Sequence, residues 1–272
     1  ICMALVGALS IGASVAAAQP QPVGSSRPFE ILDNSFLVEE AFNQERGVFQ
    51  NIVGFRRTGD EWELAVTQEW PVGSQAHQLS FTIPAVGQST EHGLGDVFLH
   101  YRFQLTNEAP GRPAISPRLS VILPTGNYDR GLGAGRAGLQ INLPFSQQVR
   151  DVYVHWNAGF TYQEQDRGGD AATDEVSGFT PHLAASAIWR VTEMAHLMLE
   201  ATAEFPDELD PLSSEAERAA SWTVAPGLRG GWNLGDKQII VGVAAPVVLN
   251  DDRTDVGGLL YFSYELPFRR GG

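Results

Sequence analysis

Residues 95–105 read GDVFLHYRFQL, and the two sides of this stretch have opposite chemistry. Val97, Leu99, Tyr101, Phe103 and Leu105 share one side of an extended chain. Asp96, His100, Arg102 and Gln104, together with Phe98, share the other, because successive strand side chains point to opposite faces. A soluble sandwich buries the apolar side, whereas a membrane barrel turns it toward lipid and encloses the polar side. Which side points inward therefore decides the fold.

The same alternation recurs outward from this stretch in segments of roughly ten residues, the length of a tilted membrane strand. They fall at about 47–57, 61–71, 76–85, 94–105, 114–123, 136–147, 151–163, 178–191, 194–205, 221–234, 237–249 and 256–268, which predicts twelve strands. Most links between them alternate in length. Tight turns such as 146–150, 192–193 and 235–236 alternate with longer loops at 87–93, 124–135, 164–177 and 206–220. Outer-membrane barrels show this pattern, with short periplasmic turns and long extracellular loops. The brief 57–60 link and the longer 106–114 link depart from it.

The faces of these segments favour the barrel. Rows such as Leu79, Phe81, Ile83; Leu119, Val121, Leu123; and Ile239, Val241, Val243, Val247 carry no charge. A midplane Arg or Lys facing lipid costs about 2–4 kcal/mol. The opposite rows hold the charged and histidine residues, and arginine supplies 17 of the 18 basic side chains. Open sheets usually guard their edges with lysine, whereas closure removes the edge. Aromatics near strand ends (Trp62, Trp70, Tyr101, Phe103, Phe145, Trp189, Trp222, Trp232) predict an interfacial girdle. The final segment, 257–268, alternates Leu260, Phe262, Tyr264, Leu266 and Phe268, resembling the C-terminal insertion signal of outer-membrane proteins. Arg269 to Gly272 extend beyond it as a tail.

Thirty-two acidic against 18 basic residues give a net charge of −14, which repels phosphate backbones and argues against a nucleic-acid partner. Residues 164–177 and 206–220 each carry five acids and one arginine, and 250–255 carry three acids and one arginine. Exposed on loops, these acids offer contacts through divalent cations to lipopolysaccharide, although a merely solvated surface gives the same composition. Residues 1–18, uncharged and ending in Ala16-Ala17-Ala18, read as an export signal truncated at its start. The one cysteine, Cys2, lies within it, so the exported chain is expected to lack disulfides and thiolate metal sites. Residues 19–46 form a separate N-terminal segment, read as periplasmic or as a short plug. Within it, Asn34-Ser35 are placed to cap a short helix with Leu32, Phe36 and Leu37 on one side.

Signatures of catalysis are weak. Gly133 to Gly138 satisfies G-x-G-x-x-G, but it leads into a strand rather than a helix, so no dinucleotide cofactor is expected. The six histidines form no H-E-x-x-H pair, and no G-x-S-x-G occurs, so neither a zinc site nor a serine hydrolase is supported. No cofactor and no enzymatic activity are expected. The remaining candidates are the inward charges: Asp96, His100, Arg102, Arg118, His182, Arg190, His196, Glu200 and Arg229. On the barrel reading they line the lumen as a solute path or as a salt-bridged filling. Arg102 is expected beside Arg118, Arg190 beside His196 and Glu200, and His182 near His196.

Several stretches together, SFLVEEAFNQERG (35–47), TQEWPV (67–72), HQLSFTIP (77–84), GLGDVFLHYRFQL (93–105), PRLSVILPTG (117–126), GLGAG (131–135) and NLPFS (142–146), resemble one family. It is the outer-membrane β-barrel transporter family linked to the meta-pathway of phenol degradation. The resemblance spans most of residues 35–268, and Gly95-Asp96 and Leu123 to Gly126 are its most specific parts. It implies passage of small solutes, aromatic compounds among them, across the bacterial outer membrane, and it supplies no catalytic residues. The expectation is therefore an all-β chain with a single antiparallel transmembrane β-barrel of about twelve strands over 47–268. It would act as a channel or transporter and contact outer-membrane lipid, lipopolysaccharide and a small-molecule solute. The alternatives are a closed structural barrel whose acidic loops bind surface partners and an outer-membrane hydrolase. Pro124 and Gly126 are expected to end a strand sharply and open a mobile loop that folds over the pore.

Overall fold

A computed structural model describes residues 31, 33–164, 178–209, 216–235, 237–250 and 253–267. Residues 1–30, including the stretch read as an export signal, Leu32, residues 165–177 and 210–215 of the two most acidic loops, and the C-terminal residues from 268 onward lie outside the described residues. The described chain is almost wholly β. Twelve antiparallel strands form the wall: Val48–Thr58, Glu61–Val72, Ser74–Gln88, Val97–Phe103, Arg118–Leu123, Gly138–Val149, Val152–Tyr162, Phe179–Thr192, Ala195–Glu204, Ser221–Leu234, Lys237–Ala244 and Thr254–Pro267. Each pairs with its sequence neighbour, and the twelfth returns to the first in register from Val48 opposite Pro267 to Thr58 opposite Gly257. The sheet is thus closed. Short strands at Glu91–Leu94, Ala114–Ile115 and Val247–Leu249 extend the wall beside the third, sixth, tenth and twelfth strands.

Exposure settles the question posed by residues 95–105. Leu99 is 47% exposed and its neighbour His100 is 6% exposed, so the apolar row points out and the polar row points in. Leu79, Val121, Ile141, Leu199, Val241 and Leu260 are likewise exposed outside, while Gln50, Gln78, Ser120, Ser146 and Glu200 are buried inside. No polar side chain is needed on the outer face, because the closed ladder leaves no backbone edge to satisfy.

One rim carries the start of the first strand, the end of the twelfth and the tight turns. Gly73 and Gly235 supply positive φ (70° and 68°) in two of those turns, a conformation that glycine adopts without steric cost. The 106–114 link folds beneath this rim. There the Glu108 carboxylate accepts from the Gln148 backbone N–H (2.6 Å) and the Tyr153 hydroxyl (2.5 Å). The opposite rim carries the longer loops.

The N-terminal segment enters the barrel instead of forming a helix. Residues 33–47 are irregular, with bends and a closing turn at 46–47, which corrects the helical expectation for Asn34 onward. The physical reason lies in the backbone donors. Those of Leu37, Glu39, Ala41, Asn43 and Gln44 go to Glu200, Asn157, Ser146, Gln104 and Gln78 on the inner wall. A helix would spend these donors internally. The segment thus winds around the lumen from the ninth strand toward the third.

Candidate functional site

The lumen has two parts stacked along the barrel axis. On the third and fourth strands Gln78 and Arg102 touch the N-terminal segment, and Thr82 and Phe98, four residues further along, line an open cavity. On the ninth strand Glu200 holds the segment and Thr202 lines the cavity. The turn-rim half is therefore filled by the segment, here called the plug. The loop-rim half is a vestibule of about 1150 Å³ whose lining includes Asp60, Glu61, Glu63, Glu204 and Asp255.

The plug is held by side chains that the inner row of the strands presents. Buried Asp33 accepts hydrogen bonds from Gln50 Nε2 (2.7 Å), Tyr261 Oη (2.9 Å) and Ser263 Oγ (2.6 Å). Arg229 donates to the carbonyls of Asp33 and Asn34, each at 2.8 Å, and to His196 Nδ1 at 3.2 Å. Arg102 donates to the carbonyls of Glu40 and Phe42 and to Asn43 Oδ1, and it sits 3.7 Å from the Glu69 carboxylate. Arg118 pairs with Glu39 of the plug at 2.5 Å and donates to Gln140. Charge-assisted bonds of this kind are stronger than neutral ones and strengthen further away from water.

Apolar contacts complete the seal. Phe42 meets Tyr153 edge-on beside Ile188 and Met198, and Phe36 leans on Tyr261 (5.1 Å between centroids) beside Ile240 and Leu259. Wall glycines make room for this packing. A β-carbon at Gly242 would overlap the Phe36 ring, and one at Gly231 would lie 2.8 Å from Ile31 Cδ1.

The nine inward residues expected from the sequence divide by location. His100, Arg102, Arg190, His196, Glu200 and Arg229 are buried. Arg102 stands opposite Arg118, and Arg190 opposite His196, in the strand register. Arg190 bonds Asp151 at the turn rim (2.6 Å). His182 lies opposite Glu204, eight positions from the Arg190 and His196 pair, so the expected approach of His182 to His196 does not occur. Strand order had suggested it, but register separates the two. His182 instead reaches Asn142 Oδ1 at 3.4 Å. Asp96, nearest the loop rim, holds the 124–135 loop and also lines the vestibule. The wall and plug glycine contacts, the Asp33 cluster and the inner apolar residues were not foreseen from sequence. Among the described residues, no group of three or more His, Cys, Asp or Glu is placed to hold a metal ion.

A closed twelve-stranded antiparallel barrel with an apolar exterior and a polar, plugged lumen defines a β-barrel of the outer-membrane type. Residues 31–243 match the profile of the family described as "Putative MetA-pathway of phenol degradation", and the chain belongs to that family. Its fold is similar to the crystal structure of an outer-membrane channel from Pseudomonas putida F1, with a TM-score of 0.64 at 14% identity over 83% of this chain and 98% of that one. No curated protein matches the chain in sequence.

Proposed function

We propose that this protein is a channel or transporter of the bacterial outer membrane, passing small solutes from the loop rim to the turn rim when the plug leaves the lumen. The observation that carries the reading is the division of the lumen into an open vestibule and a plugged half within one closed wall. Twelve strands enclose more space than eight, whose interiors side chains alone can fill. Here a separate segment fills the surplus, and a noncovalent filling can be displaced. On this reading the turn rim faces the periplasm and the loop rim faces outside. The inward charges Arg102, Arg118, Arg190, Glu200 and Arg229 then line the solute path once the plug has moved. The solved channel of similar fold supports passage, and the family description supports aromatic compounds as solutes. The acidic loop sequences fit divalent-cation contacts to lipopolysaccharide.

Planar-bilayer recording of the full chain tests the reading. Brief openings from a closed baseline are expected, lengthened by substitutions that loosen the plug. Silence from folded protein in every such variant would overturn it and favour a closed structural barrel, a role to which the dense plug packing also lends itself.

A further inference from the structure

We infer that Asp96 is a positioning residue that ties the loop 124–135 into the barrel mouth as a strap, and that this strap sets the size of solute admitted to the vestibule. The inference rests on the channel reading and concerns its outer entrance. Asp96 immediately precedes the fourth strand at the loop rim. Its Oδ1 accepts from the Gly126 N–H (2.9 Å), and its Oδ2 accepts from the Ala134 N–H (2.9 Å) and from Gln163 Nε2 (3.0 Å). One carboxylate thus fixes both ends of the loop and a neighbouring strand end. The expected mobile loop is instead a folded one, because its backbone donors have a fixed acceptor.

Four loop residues make further contacts that hold the strap. Thr125 Oγ1 donates to the Gly95 carbonyl (2.9 Å) and accepts from the Val97 N–H (3.0 Å). Asn127 caps a short 3-10 turn, Tyr128–Arg130, and Arg130 pairs with Glu91 at 2.5 Å. Leu132 is 5% exposed and seats where a β-carbon on Gly93 would lie 3.0 Å from it. The loop glycines are required by closeness: a β-carbon on Gly133 would lie 2.5 Å from Asp96 Oδ1, and one on Gly126 would overlap the Leu132 carbonyl. Gly131 to Ala134 thereby line the vestibule directly. The motifs GLGD, LPTG and GLGAG, scattered over residues 93–135, meet in this one knot.

An asparagine at position 96 has a similar shape, yet its amide nitrogen cannot accept from either backbone N–H. Asp96→Asn should therefore free one end of the strap and leave the wall intact. The test uses the full chain carrying Cys2→Ser and Thr202→Cys, so that the only thiol lies in the vestibule, in intact outer membranes. Maleimides with polyethylene glycol tails of increasing length are added from outside, and labelling rates are compared in the Asp96, Asp96→Asn and Leu132→Ala backgrounds. The smallest reagent should label all three at one rate. The bulky reagents should label both variants at least about tenfold faster than the parent, the population change expected from losing charge-assisted hydrogen bonds. Leu132→Ala serves where Asp96→Asn fails to assemble, since it removes only a seated side chain. Equal rates at every size, or an equal rise for small and bulky reagents, would overturn the strap. Labelling needs no through-passage, so absent conductance would count against the channel reading without touching this result.

Discussion

Phe36 of the plug occupies the inner wall at Gly242, where any β-carbon would overlap its ring. Gly242→Ala should expel that ring, and overpacking of this kind costs about 1–3 kcal/mol. Most of the cost falls on the closed state, since the methyl group would overlap the Phe36 ring but lie 3.2 Å from the nearest wall atom, the Leu228 carbonyl oxygen. Bilayer recordings should show a higher open fraction with unchanged heat-dependent gel mobility. An open fraction equal to that of the parent would mean that Phe36 does not seal the lumen.

Asp33 gathers three wall donors, Gln50, Tyr261 and Ser263. Asp33→Ala leaves all three without their acceptor, at about 1–3 kcal/mol for each buried group left unsatisfied. Tyr261→Phe removes one of these donors, so the double variant should lose less than the sum of the two single losses. Protease sensitivity of the plug measures each loss. Strict additivity would show that Asp33 and Tyr261 do not act together.

Glu40 belongs to the plug rather than to a spanning strand, and burial, then the nearby Asp33, pushes its carboxyl up to about 8, against lowering by Arg102 and Arg229. The closed plug thus holds the proton more tightly than a released, hydrated one. Its contribution to closure is complete below the ordinary carboxylate range near 4.5 and is lost as pH rises through about 8. Channel opening should therefore increase between pH 5 and pH 9, and Glu40→Gln should flatten that dependence. A dependence of equal slope in the Glu40→Gln chain would assign it to another group.

Arg102 joins the Glu69 carboxylate to three acceptors of the plug. Arg102→Ala strands a buried carboxylate, a loss of about 3–5 kcal/mol. Arg102→Ala with Glu69→Gln should recover part of it, read as the temperature at which gel mobility shifts. No recovery would place the cost in the plug contacts alone.

The wall was legible in the sequence because a period of two survives tilt and twist. Leu99, Val121 and Val241 declare their side one residue at a time, and their neighbours His100, Ser120 and Ile240 are buried. The N-terminal segment was legible as one of two alternatives, a periplasmic stretch or a short plug, but its path through the lumen was not legible, for a matching reason. Its hold on Glu200, Asn157, Ser146 and Gln78 uses backbone donors, which leave no mark on residue type. Gly242 and Gly231 looked like ordinary strand glycines, because the plug side chains they admit, Phe36 and Ile31, are some two hundred residues away in sequence. Asp96 was legible as inward and as part of a motif. Its actual partners, the N–H groups of Gly126 and Ala134, follow from a loop path that alternation cannot encode.

The central claim is that the apolar face of this wall meets hydrocarbon. Spin labels at Leu99, Val121 and Val241, measured in reconstituted bilayers for collision with oxygen against a water-soluble nickel complex, test it directly. High oxygen and low nickel accessibility at all three is the predicted result, with the reverse for a label at Thr202 in the vestibule. Nickel accessibility at the three outer sites equal to that at Thr202 would contradict the account.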